Sequence, residues 1–351
     1  MSLKLGFVGS GYMGQLAHIG NYSKIEDIEL VALAEGRPEL ARKVADRYGI
    51  QDIYPTHREM LEKADIDAVV AIMHFGLHHA VVPDILNAGK HLLTEKAICI
   101  RPETAHKLAD LAEEKNLTYM VAYMKRSDPG SRHAKKLIDE WIKSGEMGQM
   151  RYIRCTAAMA GDWTWGIESH IQTEEPIPPY EGETHEPAPE WMTEEQGRSF
   201  SGFVNFWIHQ VNLVRYLSGE NYQVTHVTPD GLLLVAETDS GVPITLEMNT
   251  NQINGQWMER FTVCFDKAEI ELKLGAPMQR QHAGEVRVTT ECATGQEDRL
   301  PFLPPAWAFE EQARNYVKTL KGELSLISPA RHAALDLEIA EQYIRMLGEA
   351  G

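Results

Sequence analysis

The sequence LGFVGSGYMG at residues 5–14 places three glycines, Gly9, Gly11 and Gly14, directly after a short apolar run. In the spacing G-x-G-x-x-G the first glycine permits a tight turn, the second lets the backbone approach a pyrophosphate, and the third allows close helix–strand packing. The motif has this meaning only between a buried strand and a helix. KLGFVG predicts the strand and YMGQLAHIGNYSKI predicts the helix, so the required context is present.

The alternation of strands and helices continues to about residue 125. Further strands are predicted in IELVALAEG, IDAVVAIM, HLLTEK and TYMVAYM, and helices in PELARKVADRYG, THREMLEKA, HHAVVPDILNAGK and RPETAHKLADLAEEKN. Apolar runs without alternation are typical of strands that are buried on both faces of a parallel sheet. The pattern therefore predicts an α/β Rossmann domain with a doubly wound parallel sheet over residues 1–125.

Residues 126–351 have a different pattern and predict an α+β domain. Alternating segments such as MRYIRCTAAMAG, VPITLEMNTNQI and EVRVTTECAT indicate an open-faced, mainly antiparallel sheet with helices on one face. One helix is predicted over residues 203–219, and the last helix is expected to pack back on the Rossmann domain. Residues 161–200 form a long Pro-, Glu- and Trp-rich insertion. Loops of this length inside a compact domain are usually functional or disordered.

Composition and charge exclude several classes of protein. The net charge of -17, without a block of Lys or Arg, argues against nucleic acid as a partner. No apolar stretch approaches the ~20 residues that span a bilayer, and the strand at the N-terminus leaves no room for a signal peptide. Four cysteines without a C-x-x-C pair argue against structural zinc and disulfides. These features predict a cytoplasmic protein without a metal.

A carboxylate at the end of the second strand supports a dinucleotide site. Glu35 lies about 20 residues beyond the glycine loop, where an acidic residue holds the ribose diol of NAD and repels the 2′-phosphate of NADP. Arg37 points the other way, because guanidinium groups recognise phosphate. Tyr12 and Met13 lie within the loop and are expected to touch the cofactor. The alternative is a glycine-bearing turn without a ligand.

Several longer segments together carry a family resemblance. In chain order they are GFVGSGYMG, HHAVVPDILNAGKHLLTEKA, LLTEKAICIRPETAHKLADLA, SGEMGQMRYIRC and NFWIHQVNLVRYLSG. With these motifs the chain resembles, over nearly its whole length, the Gfo/Idh/MocA oxidoreductases (glucose–fructose oxidoreductase, inositol dehydrogenase and rhizopine-catabolism proteins). The resemblance implies nicotinamide-dependent oxidation of a sugar or cyclitol hydroxyl, or the reverse reaction. Together with Glu35 it predicts an NAD-dependent dehydrogenase acting on a secondary hydroxyl of a sugar, glycoside or cyclitol. It also implies a homodimer or homotetramer formed through the C-terminal sheet.

The resemblance also implies catalytic residues, with departures from the family pattern. The Glu-Lys-Pro signature corresponds to Glu95 and Lys96, followed by Ala97 instead of proline. The lysine of that signature touches the reacting hydroxyl and the nicotinamide ribose, so Lys96 inherits this role. The Asp-x-x-x-His signature reads NFWIH here, which gives Asn205 and His209. The family's further aspartate, three residues after the histidine, is replaced by asparagine.

These departures affect the expected proton transfer. Oxidation of an alcohol needs a base for the hydroxyl proton, and the unperturbed pKa of ~6.5 makes His209 the natural candidate. A buried position beside a positively charged nicotinamide would lower the pKa of Lys96 enough for it to assist. Asn205 can orient the ring or hydrogen-bond the substrate. Alternatively, Lys96 is a solvated lysine at a strand end and His209 a satisfied core histidine.

Other side chains are weaker candidates. His74 and His78 follow the AIM strand, at the edge where ligands bind in such sheets, and are assigned to the cofactor. Two further sets of residues are assigned to the substrate. The first is the basic pair after the last Rossmann strand, for which an ordinary surface pair is the alternative. The second is the pair of tryptophans in the insertion, whose ring faces can pack against sugar rings. These four residues are Lys125, Arg126, Trp163 and Trp165.

Two other functions stay open at this point. Some relatives with this fold are glycosidases that retain NAD, oxidise the sugar transiently, eliminate the aglycone and then reduce the sugar again. The other possibility is a non-catalytic nicotinamide-binding sensor, because Ala97, Asn205 and Asn212 all depart from the catalytic pattern.

Overall fold

The structure is a computed structural model that describes residues 2–159, 170–180, 184–249 and 257–349. Its described residues form two units. The described residues of the first lie within Met1–Tyr123, Ile167–Met192 and Phe309–Leu337, and those of the second lie within Met124–Gly166, Thr193–Ala308 and Glu338–Gly351. The chain therefore changes units near residue 124, close to the expected boundary, but it returns to the first unit twice.

The first unit is built on a six-stranded parallel sheet with the order β3-β2-β1-β4-β5-β6. Its strands are β1 (Leu3–Val8), β2 (Ile28–Ala34), β3 (Asp52–Tyr54), β4 (Ala68–Ala71), β5 (His91–Thr94) and β6 (Tyr119–Val121). All four residues of β4 are buried, as expected for a strand covered on both faces. This strand order is that of a dinucleotide-binding Rossmann sheet, and it confirms the predicted fold of this half.

Helices alternate with these strands, and local sequence explains where they begin. A π-helical stretch over Gly14–Ile19 continues into Gly20–Tyr22, and the two together form α1. The helices that follow are α2 (Pro38–Tyr48), α3 (His57–Lys63), α4 (His78–Asn87) and α5 (Pro102–Glu114). Pro38 and Pro102 stand in the first turn, where a missing N–H costs nothing. Thr56 caps α3 by accepting a hydrogen bond from the N–H of Glu59.

The second unit contains an eight-stranded sheet with the order β14-β13-β12-β11-β7-β10-β9-β8. Its strands are β7 (Met150–Met159), β8 (Tyr222–Val227), β9 (Leu233–Thr238), β10 (Pro243–Asn249), β11 (Trp257–Phe265), β12 (Ala268–Leu274), β13 (Glu285–Cys292) and β14 (Gly295–Arg299). Strands β7 and β10 pair in parallel, and the other pairs are antiparallel. The prediction of a mainly antiparallel sheet is confirmed.

The second unit contains the helices α6 (Pro129–Ser144), α7 (Glu194–Phe206) and α8 (Ile208–Ser218). Helix α6 packs against β12 and β13, and α8 packs against β7. The prediction of a single helix over residues 203–219 is wrong, because the helix is interrupted at Trp207, between α7 and α8. The carbonyl of Trp207 there accepts hydrogen bonds from both Gln210 and Val211, which tightens the turn.

The last two helices, α9 (Ala308–Leu320) and α10 (Ala330–Glu349), follow the second sheet in the chain. Ala313, Tyr316 and Val317 of α9 are buried in the core of the first unit, together with Leu5 and Phe7 of β1. Before α10, Ser328 accepts a hydrogen bond from the N–H of Val121 on β6 at 3.0 Å. The boundary between the units falls inside α10, after Leu337.

Candidate functional site

The glycine loop after β1 has the geometry of a phosphate cradle. Gly9 has a φ of +86°, and a Cβ there would collide with the carbonyl oxygen of Ile72. A Cβ on Gly14 would lie 2.7 Å from the carbonyl oxygen of Gly9, so the helix approaches the strand end as closely as only glycine allows. At Gly11 a Cβ would meet nothing nearer than the Arg37 guanidinium, at 3.8 Å. The backbone at Gly11 is therefore open to a ligand, which fits a bound pyrophosphate.

Glu35, at the end of β2, is held next to this loop by several donors. Its Oε2 accepts hydrogen bonds from the N–H and the hydroxyl of Ser10, at 2.9 and 3.0 Å. Arg37 donates from Nε to Oε1 at 2.8 Å and from Nη2 to Oε2 at 3.0 Å. Burial opposes the charged form of Glu35, but the hydrogen bonds from Arg37 and Ser10 outweigh it and lower the pKa. Glu35 is therefore a fixed anion at this edge, and Arg37 is its partner.

Two further loop residues have aromatic or apolar neighbours. The ring of Tyr12 meets the ring of His170 edge-to-face, with 5.0 Å between centroids. Met13 is partly buried and packs on the core of the first unit. Gln15, which the sequence motifs did not single out, donates to the carbonyl of Ile171 at 3.0 Å and accepts from its N–H at 2.9 Å. Gln15 thereby ties Ile171, within the insertion, to the glycine loop.

His74 follows β4 and packs in a stack of rings. Its ring lies 4.5 Å from that of Phe75 and 4.5 Å from that of His185. Its Nδ1 accepts a hydrogen bond from the N–H of Gly76. Burial, followed by the neighbouring His185, lowers the pKa of His74, so the ring is uncharged at neutral pH.

His78 at the start of α4 is completely buried. Its Nδ1 donates to the carbonyl of Ile98 at 3.0 Å, because a carbonyl oxygen can only accept. Burial lowers the pKa of His78 to about 4 despite hydrogen bonds that favour the charged form. His78 is therefore a neutral ring inside the first unit, next to the segment that follows Lys96.

Glu95 and Lys96 follow β5 at the same carboxyl edge of the sheet. The Oε1 of Glu95 lies 2.7 Å from Nε2 of His18, and its Oε2 accepts from the N–H of Lys96 at 3.1 Å. The Lys96–Ala97 peptide bond, at the position of the family's proline, is cis. Both carboxylate oxygens of Glu95 are thus engaged inside the protein, and Oε2 fixes the backbone N–H of Lys96, a residue that is itself partly buried.

The basic pair after β6 is internal to the second unit. Lys125 forms an ion pair with Glu259 of β11, and the two side chains are 7% and 1% exposed. The Oε1 of Glu259 also accepts from Nε2 of Gln210 at 2.7 Å. Arg126 is fully buried and donates from Nε to Oδ1 of Asn212 at 2.6 Å. Asn212, the position of the family's further aspartate, is therefore the partner of a buried guanidinium.

The proton-transfer candidates lie on either side of the helix break in the second unit. Asn205 is exposed near the end of α7, and His209 is partly buried in the first turn of α8. The spacing predicted that the two share one continuous helix, but Trp207 stands between them as the cap of both helices. Trp163 and Trp165 lie outside the described residues.

Two carboxylates from residues 170–192 bind backbone N–H groups of the first unit, one at the start of α2 and one just before α5, and the motifs did not predict either contact. Glu175 accepts from the N–H groups of Glu39 and Leu40 at the start of α2, both at 2.9 Å. Glu186 accepts from the N–H groups of Ile100 and Arg101 before α5, at 2.8 and 3.1 Å. The insertion was assigned to the substrate domain, whereas its described residues up to Met192 belong to the first unit and those from Thr193 onward to the second. The run of carboxylates in this Pro-rich stretch was the available signal.

The structure offers neither a metal cluster nor a membrane helix in the ranges it covers. Within residues 2–159, 170–180, 184–249 and 257–349, no three His, Cys, Asp or Glu side chains are placed to hold a metal ion. In the same ranges, no helix has both the length and the apolar character needed to cross a membrane. Cys99, Cys155, Cys264 and Cys292 are free thiols.

A parallel sheet of order 3-2-1-4-5-6, with an open glycine loop after its first strand, defines the first unit as a dinucleotide-binding domain. Comparison with known families agrees: residues 3–123 match the Gfo/Idh/MocA family, described as an oxidoreductase family with an NAD-binding Rossmann fold. The predicted family is thereby confirmed over these residues, which form the Rossmann domain.

Characterised relatives extend the similarity beyond this domain. A levoglucosan dehydrogenase from Pseudarthrobacter phenanthrenivorans is 26% identical over 62% of this chain and 52% of its own length. An inositol 2-dehydrogenase from Burkholderia lata is 26% identical over 72% of this chain and 68% of its own length. The chain thus spans about half the length of the first relative and about two thirds of the second.

A solved structure is similar in fold along the whole chain. A levoglucosan dehydrogenase in complex with NADH and levoglucosan has a TM-score of 0.74 and 18% identity, covering 100% of this chain and 98% of that one. At this identity the similarity shows the fold, and it confirms the predicted combination of a parallel and a mainly antiparallel sheet.

Proposed function

We propose that this chain is an NAD-dependent oxidoreductase that transfers a hydride between nicotinamide and a secondary hydroxyl or ketone of a sugar, glycoside or cyclitol. The observation that carries the proposal is the open backbone at Gly11, next to a guanidinium that Glu35 holds. Such a loop accepts a pyrophosphate, and a carboxylate at the end of β2 suits a ribose diol. The substrate class is supported by the levoglucosan and inositol dehydrogenases among the relatives.

Each catalytic side chain has a separate proposed task. Bound NAD would take up the hydride, a chemistry that amino-acid side chains do not supply. Lys96 contacts the reacting hydroxyl and the nicotinamide ribose, and Glu95 holds its backbone in place. His209 accepts the hydroxyl proton, because an imidazole titrates near neutral pH. Asn205 orients the imidazole ring of His209 or hydrogen-bonds the substrate. Lys125 contributes to substrate binding, and its ion pair with Glu259 holds it in place.

The test is a screen of levoglucosan, inositols, aldoses and aryl glycosides with NAD and NADP separately, followed by NADH absorbance. We expect NADH to form with NAD and at least one cyclic polyol. Tight NAD binding without NADH formation on any substrate would contradict the proposal and favour a sensor. Release of an aglycone without accumulation of NADH would contradict it in favour of a glycosidase that retains NAD.

A substitution tests the role of His209 directly. We expect His209→Gln to lower kcat about 100-fold or more, the loss typical of a missing general base, while the Kd for NAD stays unchanged. His226→Gln, at an exposed position of β8 in the same unit, is the matched control and should keep full turnover. Full turnover by His209→Gln would remove His209 from the mechanism.

We also propose that the protein acts in the cytoplasm as a homodimer or homotetramer through the second sheet. Support for the oligomer comes from the family resemblance. Light scattering coupled to gel filtration measures the mass in solution, and a monomer at micromolar concentration would contradict it.

A further inference from the structure

The start of α2, directly beyond the end of β2, already holds an anion from the protein itself. The two carboxylate oxygens of Glu175 accept separate hydrogen bonds from the N–H groups of Glu39 and Leu40, each at 2.9 Å. The first N–H groups of a helix have no partner within the helix and attract anions, phosphate groups included. The position that an anionic group would take next to β2 is therefore occupied by a side chain from a distant part of the chain.

Glu175 is held in this position on both sides along the chain. Thr173 donates its hydroxyl to Oε2 of Glu175 at 2.9 Å. Two residues earlier, Ile171 forms a pair of hydrogen bonds with Gln15 of α1. On the other side, Pro178 packs so closely on Gly36 that a Cβ there would lie 2.6 Å from the proline Cγ.

The charge of Glu175 is maintained in this environment. Loss of solvent alone would raise the pKa of the carboxyl, but the N–H groups of Glu39 and Leu40 outweigh this effect and the pKa is lowered. Glu175 is therefore an anion at neutral pH. It also feels the charge of Arg37, whose Nε and Nη2 are already bonded to Glu35.

The donors that a 2′-phosphate would use at this edge are thus both engaged by carboxylates. Arg37, the cation that could recognise the phosphate, is neutralised by Glu35, and the N–H groups of α2 are satisfied by Glu175. A phosphate bound next to Arg37 and the start of α2 would either displace Glu35 or Glu175 or lie beside both carboxylates. Like charges at such distances repel.

We propose that Glu175 is a cofactor-specificity residue that closes the start of α2 to the 2′-phosphate of NADP. This inference rests on the proposed function, because it assumes that the adenosine ribose binds at Glu35. It adds a determinant from outside the βαβ unit, contributed by residues 170–180. Glu35 and Glu175 together then favour NAD by two separate carboxylates.

The test measures binding rather than turnover. Isothermal titration calorimetry gives the Kd of NAD, NADP and adenosine 2′,5′-bisphosphate for the wild type, for Glu175→Gln and for Glu174→Gln. Glu174 is the exposed neighbour, so its substitution removes the same charge without touching α2. We expect Glu175→Gln to bind NADP and the bisphosphate about tenfold more tightly, which equals ~1.4 kcal/mol, with the Kd for NAD changed less than about twofold.

A second variant separates specificity from the capping of α2. Glu175→Gln keeps a side-chain oxygen that can accept from α2, whereas Glu175→Ser carries no charge and is too short to reach the N–H groups of Glu39 and Leu40. Glu175→Ser should therefore show the same gain for the 2′-phosphate, and it replaces Glu175→Gln if that variant fails to fold. Unchanged Kd values for NADP in both folded variants, or an equal gain in Glu174→Gln, would overturn the inference. Failure of the wild type to bind NAD would instead overturn the proposed function.

Discussion

The buried ring of His78 predicts a specific loss of stability in mild acid. Its pKa is about 4 in the folded protein, against ~6.5 in the unfolded chain. Above the unfolded pKa both states hold a neutral ring and the stability is complete. As the pH falls from there towards the pKa of His78 in the folded protein, this ring binds a proton in the unfolded chain but not in the folded protein. This linkage lowers the free energy of unfolding by about 2 kcal/mol between pH 7 and pH 5.

The variant His78→Asn removes the titration and keeps the internal hydrogen bond. The asparagine amide N–H takes the place of Nδ1–H and donates to the carbonyl of Ile98. Urea denaturation at both pH values gives the free energy of unfolding of each protein. We expect the wild type to lose about 2 kcal/mol more than His78→Asn on going to pH 5.

The same substitution at His79 controls for the loss of one imidazole, because that ring is only partly buried. His79→Asn should retain the acid sensitivity of the wild type. Equal losses of stability in the wild type and in His78→Asn would refute the reasoning, since the buried ring would then not be the source of the acid sensitivity.

Two further predictions follow from close contacts. Gly14→Ala places a methyl against the carbonyl oxygen of Gly9, so it should cost about 1–3 kcal/mol in urea denaturation and weaken NAD binding. In Gly11→Ala the added methyl group points into open space, so the variant should keep the stability of the wild type and bind NAD more weakly in calorimetry. A loss of stability in this variant would contradict the open loop. Glu259→Gln leaves the buried ammonium of Lys125 without its carboxylate and should cost about 3–5 kcal/mol in the same urea assay. The neutral pair Lys125→Met/Glu259→Gln should recover at least half of that loss, and no recovery would show that the charge is not the cause.

Much of the fold could be predicted because the decisive signals are local. Buried apolar runs separated by helices defined β1, β2, β4, β5 and β6, and the glycine spacing marked the loop after β1. The strands that the pattern missed lack such a signal. Strand β3 has three residues, and β14 is GQEDR, an exposed edge strand without an apolar position. The parallel pairing of β7 with β10 is also invisible locally, because alternation does not encode strand direction.

The candidate site was predictable in part for the same reason. Residue spacing identified the glycine loop and Glu35, since both follow neighbouring strands of one sheet. It did not show that Arg37 is bonded to Glu35, because a side-chain rotamer decides that contact. Glu175 and Gln15 were missed because their partners lie far away in the chain, and the break at Trp207 carries no glycine or proline to announce it.

The hydrogen bond between Val121 and Ser328 has a consequence for the order in which the protein forms. The edge strand of the Rossmann sheet and the core that α9 completes need residues that follow much later in the chain. The first unit is therefore completed only after most of the second unit has been synthesised, unlike domains that fold in turn as they leave the ribosome. Any nascent chain that stops before α9 carries an unfinished sheet with exposed apolar surface, a species that chaperones are expected to bind.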